Sequence, residues 1–135
     1  MNLNHSKIIA VVDDDVEMRT MIKDFLVSQG YQVEVFPSAA GVMRALNLEP
    51  GHQNGRRFTA LISDIRMGGG MDGMELLKSI KEQHASLPVL LITAYGTKEQ
   101  ETLAREAGAF DFLTKPFPLS RLANALERAL GKVPC

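Results

Sequence analysis

The chain has 135 residues, 45% of them hydrophobic and 23% charged, and a net charge of −1. That is the length of one domain, enough to bury a core without disulfides or a structural metal, and the balanced charge excludes the field that nucleic acid or an anionic membrane surface would attract. The one cysteine, Cys135, builds neither a disulfide framework nor a zinc site, and no signal-length apolar run follows the polar start MNLNHSK. The expectation is one soluble, cytoplasmic domain over 1–135, with a core over about 7–130 and residues 131–135 as a tail or the start of a linker.

Residues Ile8–Val12 form an uninterrupted apolar run, as in a strand covered on both faces. Asp13, Asp14 and Asp15 follow it. Met18, Met21, Ile22, Phe25 and Leu26 then fall on one helical stripe, read as core packing. Asp15 is placed to cap that helix, and Gly30 to stop it. A second strand over 33–36 is interrupted by Glu34 and ends at Phe36-Pro37, with nothing chemical beyond. Ser38 is the expected N-cap of a helix through Met43 and Leu46. A long polar loop, 50–57, leads to a third strand over 60–63 that ends at Asp64. Met74, Leu77 and Ile80 mark a third helix. The fourth strand, Val89–Thr93, ends in a threonine. Thr97 with Gln100 reads as a capping box for a fourth helix through Leu103 and Ala107. The fifth strand, 110–113, is followed by Lys115, and Leu119, Leu122, Leu126 and Leu130 give a fifth helix.

Strand and helix thus alternate five times. This predicts an α/β fold with parallel strands, right-handed crossovers and helices on both faces. Sites in such sheets form beyond the carboxyl ends of the strands. There the chain sets Asp13 and Asp14 after the first strand, Asp64 after the third, Thr93 after the fourth and Lys115 after the fifth. Clustered carboxylates repel one another unless a cation or proton joins them, and hard oxygen ligands suit Mg²⁺. A bound Mg²⁺ attracts a phosphoryl group, Lys115 adds positive charge and Thr93 a hydrogen-bond donor. That is the equipment of phosphoryl transfer. Each residue also has an ordinary reading: an Asp at a strand end is commonly a turn or cap residue, Thr93 a strand terminus and Lys115 a solvated charge. The joint arrangement carries the argument.

Gly68, Gly70 and Gly73 spell G-x-G-x-x-G. The dinucleotide fingerprint follows a first strand, with an acid about 20 residues on; here the next strand ends in Thr93. The glycines are therefore read as a turn from Asp64 into the third helix.

In this order, IIAVVDDD, LISDIRM, MDGMELL, LPVLLITAYG and GAFDFLTKPF resemble the receiver domain of bacterial two-component response regulators, over about 7–130. The ITAYG and DFLTKPF segments look most like receivers of enhancer-binding transcription activators. The resemblance implies a flavodoxin-like (βα)5 fold of strand order 2-1-3-4-5. It implies that Asp64 is the phosphoacceptor, served by a sensor histidine kinase or phosphotransfer protein. Asp14, Asp64 and the Arg66 backbone carbonyl would ligate Mg²⁺ directly and Asp13 through water. Lys115 would pair with the phosphoryl oxygens, Thr93 would hydrogen-bond them, and Phe112 would be the switch aromatic that turns inward as Thr93 moves. A cis Lys115–Pro116 bond and a homodimer through helix 4, strand 5 and helix 5 are further implications. Arg66 and Tyr95 lie where they could screen attacking water. The chain departs from the pattern after Met67, where one residue is extra and the usual proline is missing; this rim is expected to be mobile without Mg²⁺ and phosphate.

Three rivals are weighed. A haloacid-dehalogenase-type phosphatase also uses Asp, Thr, Lys and Mg²⁺, and Asp13 with Asp15 mimics its first motif. It needs acids after the lysine, and Glu127 is the only one there. A degenerate receiver acting only as a binding module would lack one of the key groups, and all five are present. A P-loop NTPase is excluded because G-x-x-x-x-G-K-[ST] occurs nowhere.

Overall fold

A computed structural model describes residues 7–47, 58–68 and 70–131. The polar loop 50–57, Gly69 and the tail 132–135 lie outside the described residues, and with them the expectations placed there. The order is β1 (Ile8–Val12), α1 (Val16–Ser28), β2 (Gln32–Phe36), α2 (Ala39–Leu46), β3 (Ala60–Asp64), α3 (Gly73–Gln83), β4 (Val89–Thr93), α4 (Lys98–Glu106), β5 (Asp111–Thr114) and α5 (Leu119–Ala129). All paired strands are parallel, in the order β2-β1-β3-β4-β5. The α/β flavodoxin-like fold expected from the sequence is the fold observed.

Apolar runs make strands here because each residue finds a buried face on one side or the other. Ala10, Val12, Leu61, Val89, Leu91 and Phe112 point to a cluster shared with α2, α3 and α4. Ile9, Val11, Ile62, Leu90, Ile92 and Leu113 point to a second cluster shared with α1 and α5. The alternation of period two is present but hidden, since both faces are apolar. At the edge, β2 is less buried, as Glu34 suggested.

The helix signals resolve in detail. Asp15 caps α1, accepting from Glu17 N at 3.0 Å. Gly30 follows the helix in the left-handed region, at φ 97°, which glycine enters without a Cβ penalty. Ser38 caps α2, with Gly41 N donating at 3.3 Å. Three expectations need correction. Within the α1 stripe Ile22 and Leu26 are buried, but Met21 is 44% exposed. Its place on the stripe gives it an apolar neighbourhood, with Val16, Phe25 and Leu119 around an open groove, and no element covers it. Thr97 does cap α4, accepting from Gln100 N at 3.0 Å. The reciprocal half of the box is missing, however, and Gln100 Oε1 is buried without a hydrogen-bond partner. The closed capping box belongs to α3, between Asp72 and Glu75. The fifth strand begins one residue later than expected, leaving Phe110 41% exposed.

Candidate functional site

Four polar residues are buried among those described: Asp13, Ser63, Asp64 and Thr93. All four stand at the carboxyl edge of the central strands. Burying an unpaired charge is costly, so their gathering at one edge is the strongest local signal in the molecule.

The sheet register brings them together. β3 is central, between β1 and β4, and Asp64 at its end lies opposite Ile92. The next residue continues the ladder, Ile65 N donating to Ile92 O at 2.9 Å, which fixes the backbone under the Asp64 side chain. Lys115 Nζ donates to Asp64 Oδ2 at 2.8 Å and lies 3.6 Å from Asp13 Oδ2. Arg66 N donates to the other Asp64 oxygen at 3.0 Å. Lys115 is held by its own backbone, whose N–H donates to Thr93 O at 2.7 Å, and the Lys115–Pro116 bond is cis, as the resemblance implied. Burial works to lower the Lys115 pKa, but the hydrogen bond it donates to Asp64 and the charges of Asp13 and Asp64 outweigh it, and the pKa lies above its ordinary value.

Asp13 is enclosed. Its Oδ1 accepts from Asp15 N at 2.9 Å, while Oδ2 is buried with no hydrogen bond. Burial is the largest influence on its carboxyl and pushes the pKa up, against the opposing Asp15 hydrogen bond and Lys115 charge. Asp14 is exposed, and its Oδ2 accepts from Gly68 N across the site at 2.8 Å. Among the described residues no three carboxylate, imidazole or thiolate groups converge on one cation-sized point. Mg²⁺ does not require that, since it takes one or two carboxylates and keeps several waters. The donors are all hard oxygens, and Asp13 Oδ2 is a buried acceptor with no hydrogen bond, so the residues fit the ion.

Thr93 is fully buried and its Oγ1 accepts from Tyr95 N at 3.2 Å. Phe112 is 5% exposed and shares the apolar cluster of Leu91 and Ala104. The Arg66 guanidinium lies over the Tyr95 ring, 4.8 Å from its centroid, and the two residues named as screens stand together. Sequence reasoning missed two contributors. Arg19 Nη1 donates to the Asp13 carbonyl at 2.7 Å, and Ser63 Oγ donates to the Asp64 carbonyl at 2.9 Å. Arg19 sits one turn into α1 on its sheet side, and no spacing rule separates it from a solvated arginine.

The profile of the response regulator receiver domain matches residues 9–127, and the chain belongs to that family. It is 38% identical over 124 residues to the DNA-binding transcriptional regulator NtrC of Escherichia coli (strain K12), covering 92% of this chain and 25% of NtrC. It is 38% identical over 122 residues to the transcriptional regulatory protein FixJ of Bradyrhizobium diazoefficiens, covering 90% of this chain and 56% of FixJ. The crystal structure of the receiver domain of NtrX from Brucella abortus superimposes with a TM-score of 0.82 at 35% identity, covering 93% of this chain and 99% of that one. The chain spans about a quarter of the length of the NtrC relatives it matches. It is a regulatory receiver domain, and the phosphatase reading falls; Asp15, which that reading needed, is engaged as a helix cap.

Proposed function

We propose that Asp64 accepts a phosphoryl group from the phosphohistidine of a partner histidine kinase or phosphotransfer protein. The observation that carries this is the ion pair of Lys115 with Asp64 at 2.8 Å, beside the buried Asp13. In the step, an Asp64 carboxylate oxygen forms the new bond to phosphorus as the phosphorus–nitrogen bond to the histidine breaks. Lys115 sits where it balances the carboxylate before transfer and pairs with a phosphoryl oxygen after it. Asp14, Asp64 and the Arg66 carbonyl would hold Mg²⁺ directly, and Asp13 through water. When bound, the ion neutralises charge on the phosphoryl oxygens.

Thr93 is the first responder. Its Oγ1 leaves Tyr95 N for a phosphoryl oxygen, which draws the β4–α4 connection toward Asp64. The element best able to follow is α4, which buries Ala104 alone, whereas α3 buries Gly73, Leu76, Leu77 and Ile80. Helices with little buried apolar area are those that shift at low cost. Phe112, packed beneath this connection, follows Thr93, and regulation is a shift between two packings. Arg66 stacked on Tyr95 shields the phosphoryl group from water and sets its lifetime. The output segment of a longer regulator, or a second copy docked on α4, β5 and α5, reads the change. The domain acts in the cytoplasm, where it meets its phosphodonor.

The test is intact mass after incubation with Mg²⁺ and acetyl phosphate, with light scattering on the same sample for the second copy. One phosphoryl group on the wild type, absent without Mg²⁺ and absent in Asp64→Asn, is the expected result. A phosphoryl group that persists on Asp64→Asn would show that another residue is the acceptor.

A further inference from the structure

Gly68, which follows Met67, has no part in the reading above. Gly68 nevertheless makes a contact across the site: its N–H donates to Asp14 Oδ2 at 2.8 Å, across 54 positions of sequence. Under the reading above, on which this inference rests, that carboxylate is a direct ligand of the cation. It stands apart from the other two acids. Asp13 and Asp64 both face Lys115, at 3.6 and 2.8 Å, while no third acid joins them at one point. Asp13 Oδ2 keeps no hydrogen bond.

We infer that the Gly68 N–H competes with the cation for Asp14. The bond holds the carboxylate on the rim, and entry of Mg²⁺ breaks it and frees Gly68 from the site. A carboxylate accepting a backbone N–H is a charge-assisted contact, stronger than a neutral one, and its loss is repaid only in part when the exposed Gly68 N–H finds water. Gly68 is thus a positioning residue that acts through Asp14. It sets the affinity of the cation site and couples occupancy to the rim beside Asp64. The opposite arrangement is a contact that steadies Asp14 in its ligating pose, as outer hydrogen bonds often do. The two differ in sign.

Titration calorimetry of the whole chain with MgCl₂ separates them. Gly68→Pro removes the donor, because proline has no N–H and its ring takes that direction. Gly68→Ala keeps the donor, and the added Cβ meets only Asp14 Oδ2, at 3.4 Å. Gly68→Pro is expected to tighten Mg²⁺ binding roughly three- to tenfold, in line with the net worth of one such bond, and Gly68→Ala to leave it within about twofold. An unchanged or weaker affinity in Gly68→Pro overturns the inference while leaving the receiver reading intact. Should Gly68→Pro fail to fold, the wild type carries the test. Its Gly68 amide proton is expected to move upfield and exchange faster as Mg²⁺ saturates, and a resonance that stays in place overturns the idea. A wild type that binds no Mg²⁺ at all overturns both readings.

Discussion

At the scale of single residues, the site is a problem of buried charge and how it is relieved. Lys115 partners Asp64 closely and Asp13 at longer range, which leaves Asp13 Oδ2 under-satisfied. The sign of the consequence follows from linkage. Burial raises the folded Asp13 pKa above its ordinary 3.8, so between that value and the raised one the folded chain holds a proton that the unfolded chain has released. Stability from this group is present below pH 3.8 and is lost as pH rises through the folded value. Asp13→Asn is therefore expected to gain on the wild type as pH rises across that window, in urea unfolding with EDTA present. A constant difference between the two proteins would show that burial of Asp13 carries no such penalty.

Individual elements contribute through where they begin. The first residue of α3, Gly73, lies so close to the end of β3 that a Cβ there would meet Asp64 O at 2.4 Å and Ile65 Cα at 2.7 Å. Its N–H also donates to Ile65 O at 2.8 Å. The helix start is thereby pressed onto the backbone that carries Asp64. Gly73→Ala must push α3 away from β3. A loss of about 2–3 kcal/mol in urea unfolding is expected, the cost of overpacking, with slower phosphorylation because the Asp64 backbone moves. An alanine tolerated at full stability would mean that α3 shifts freely. The fourth helix illustrates the reverse economy. Thr97 caps it, but Gln100 does not complete the box, and Leu103 is 53% exposed.

For the whole molecule, two apolar clusters hold the sheet from its two sides, while the acids sit at one edge where Lys115 relieves their charge only in part. On the proposed reading, Mg²⁺ held by the folded chain alone is expected to stabilise it by mass action, by about 1.4 kcal/mol at a tenfold excess over the dissociation constant. In thermal unfolding that is a rise of roughly 3–8 °C in Tm. Asp14→Asn and Asp64→Asn are each expected to lose most of the rise. An equal rise in all three proteins would place the ion elsewhere. Among the described residues no helix is long and apolar enough to cross a membrane.

Much of this was legible in the chain itself. Strand runs, the Asp15, Ser38 and Thr97 caps and the stop at Gly30 are local, because each depends on residues within one turn. The strand-end positions of Asp13, Asp14, Asp64, Thr93 and Lys115 were legible for the same reason, and an open parallel sheet gathers such ends on one edge. Contacts between distant segments were not. That Met21 is left uncovered, that Arg19 reaches the Asp13 carbonyl and that Gly68 holds Asp14 all depend on how α1 and the β3–α3 connection lie across the sheet edge. Which chemical groups stand at the ends of the strands is a local matter, because period and turn chemistry are written residue by residue. Which of those groups touch is a matter of the folded chain, because a hydrogen bond between positions 54 apart forms through the packing of both segments on a common core.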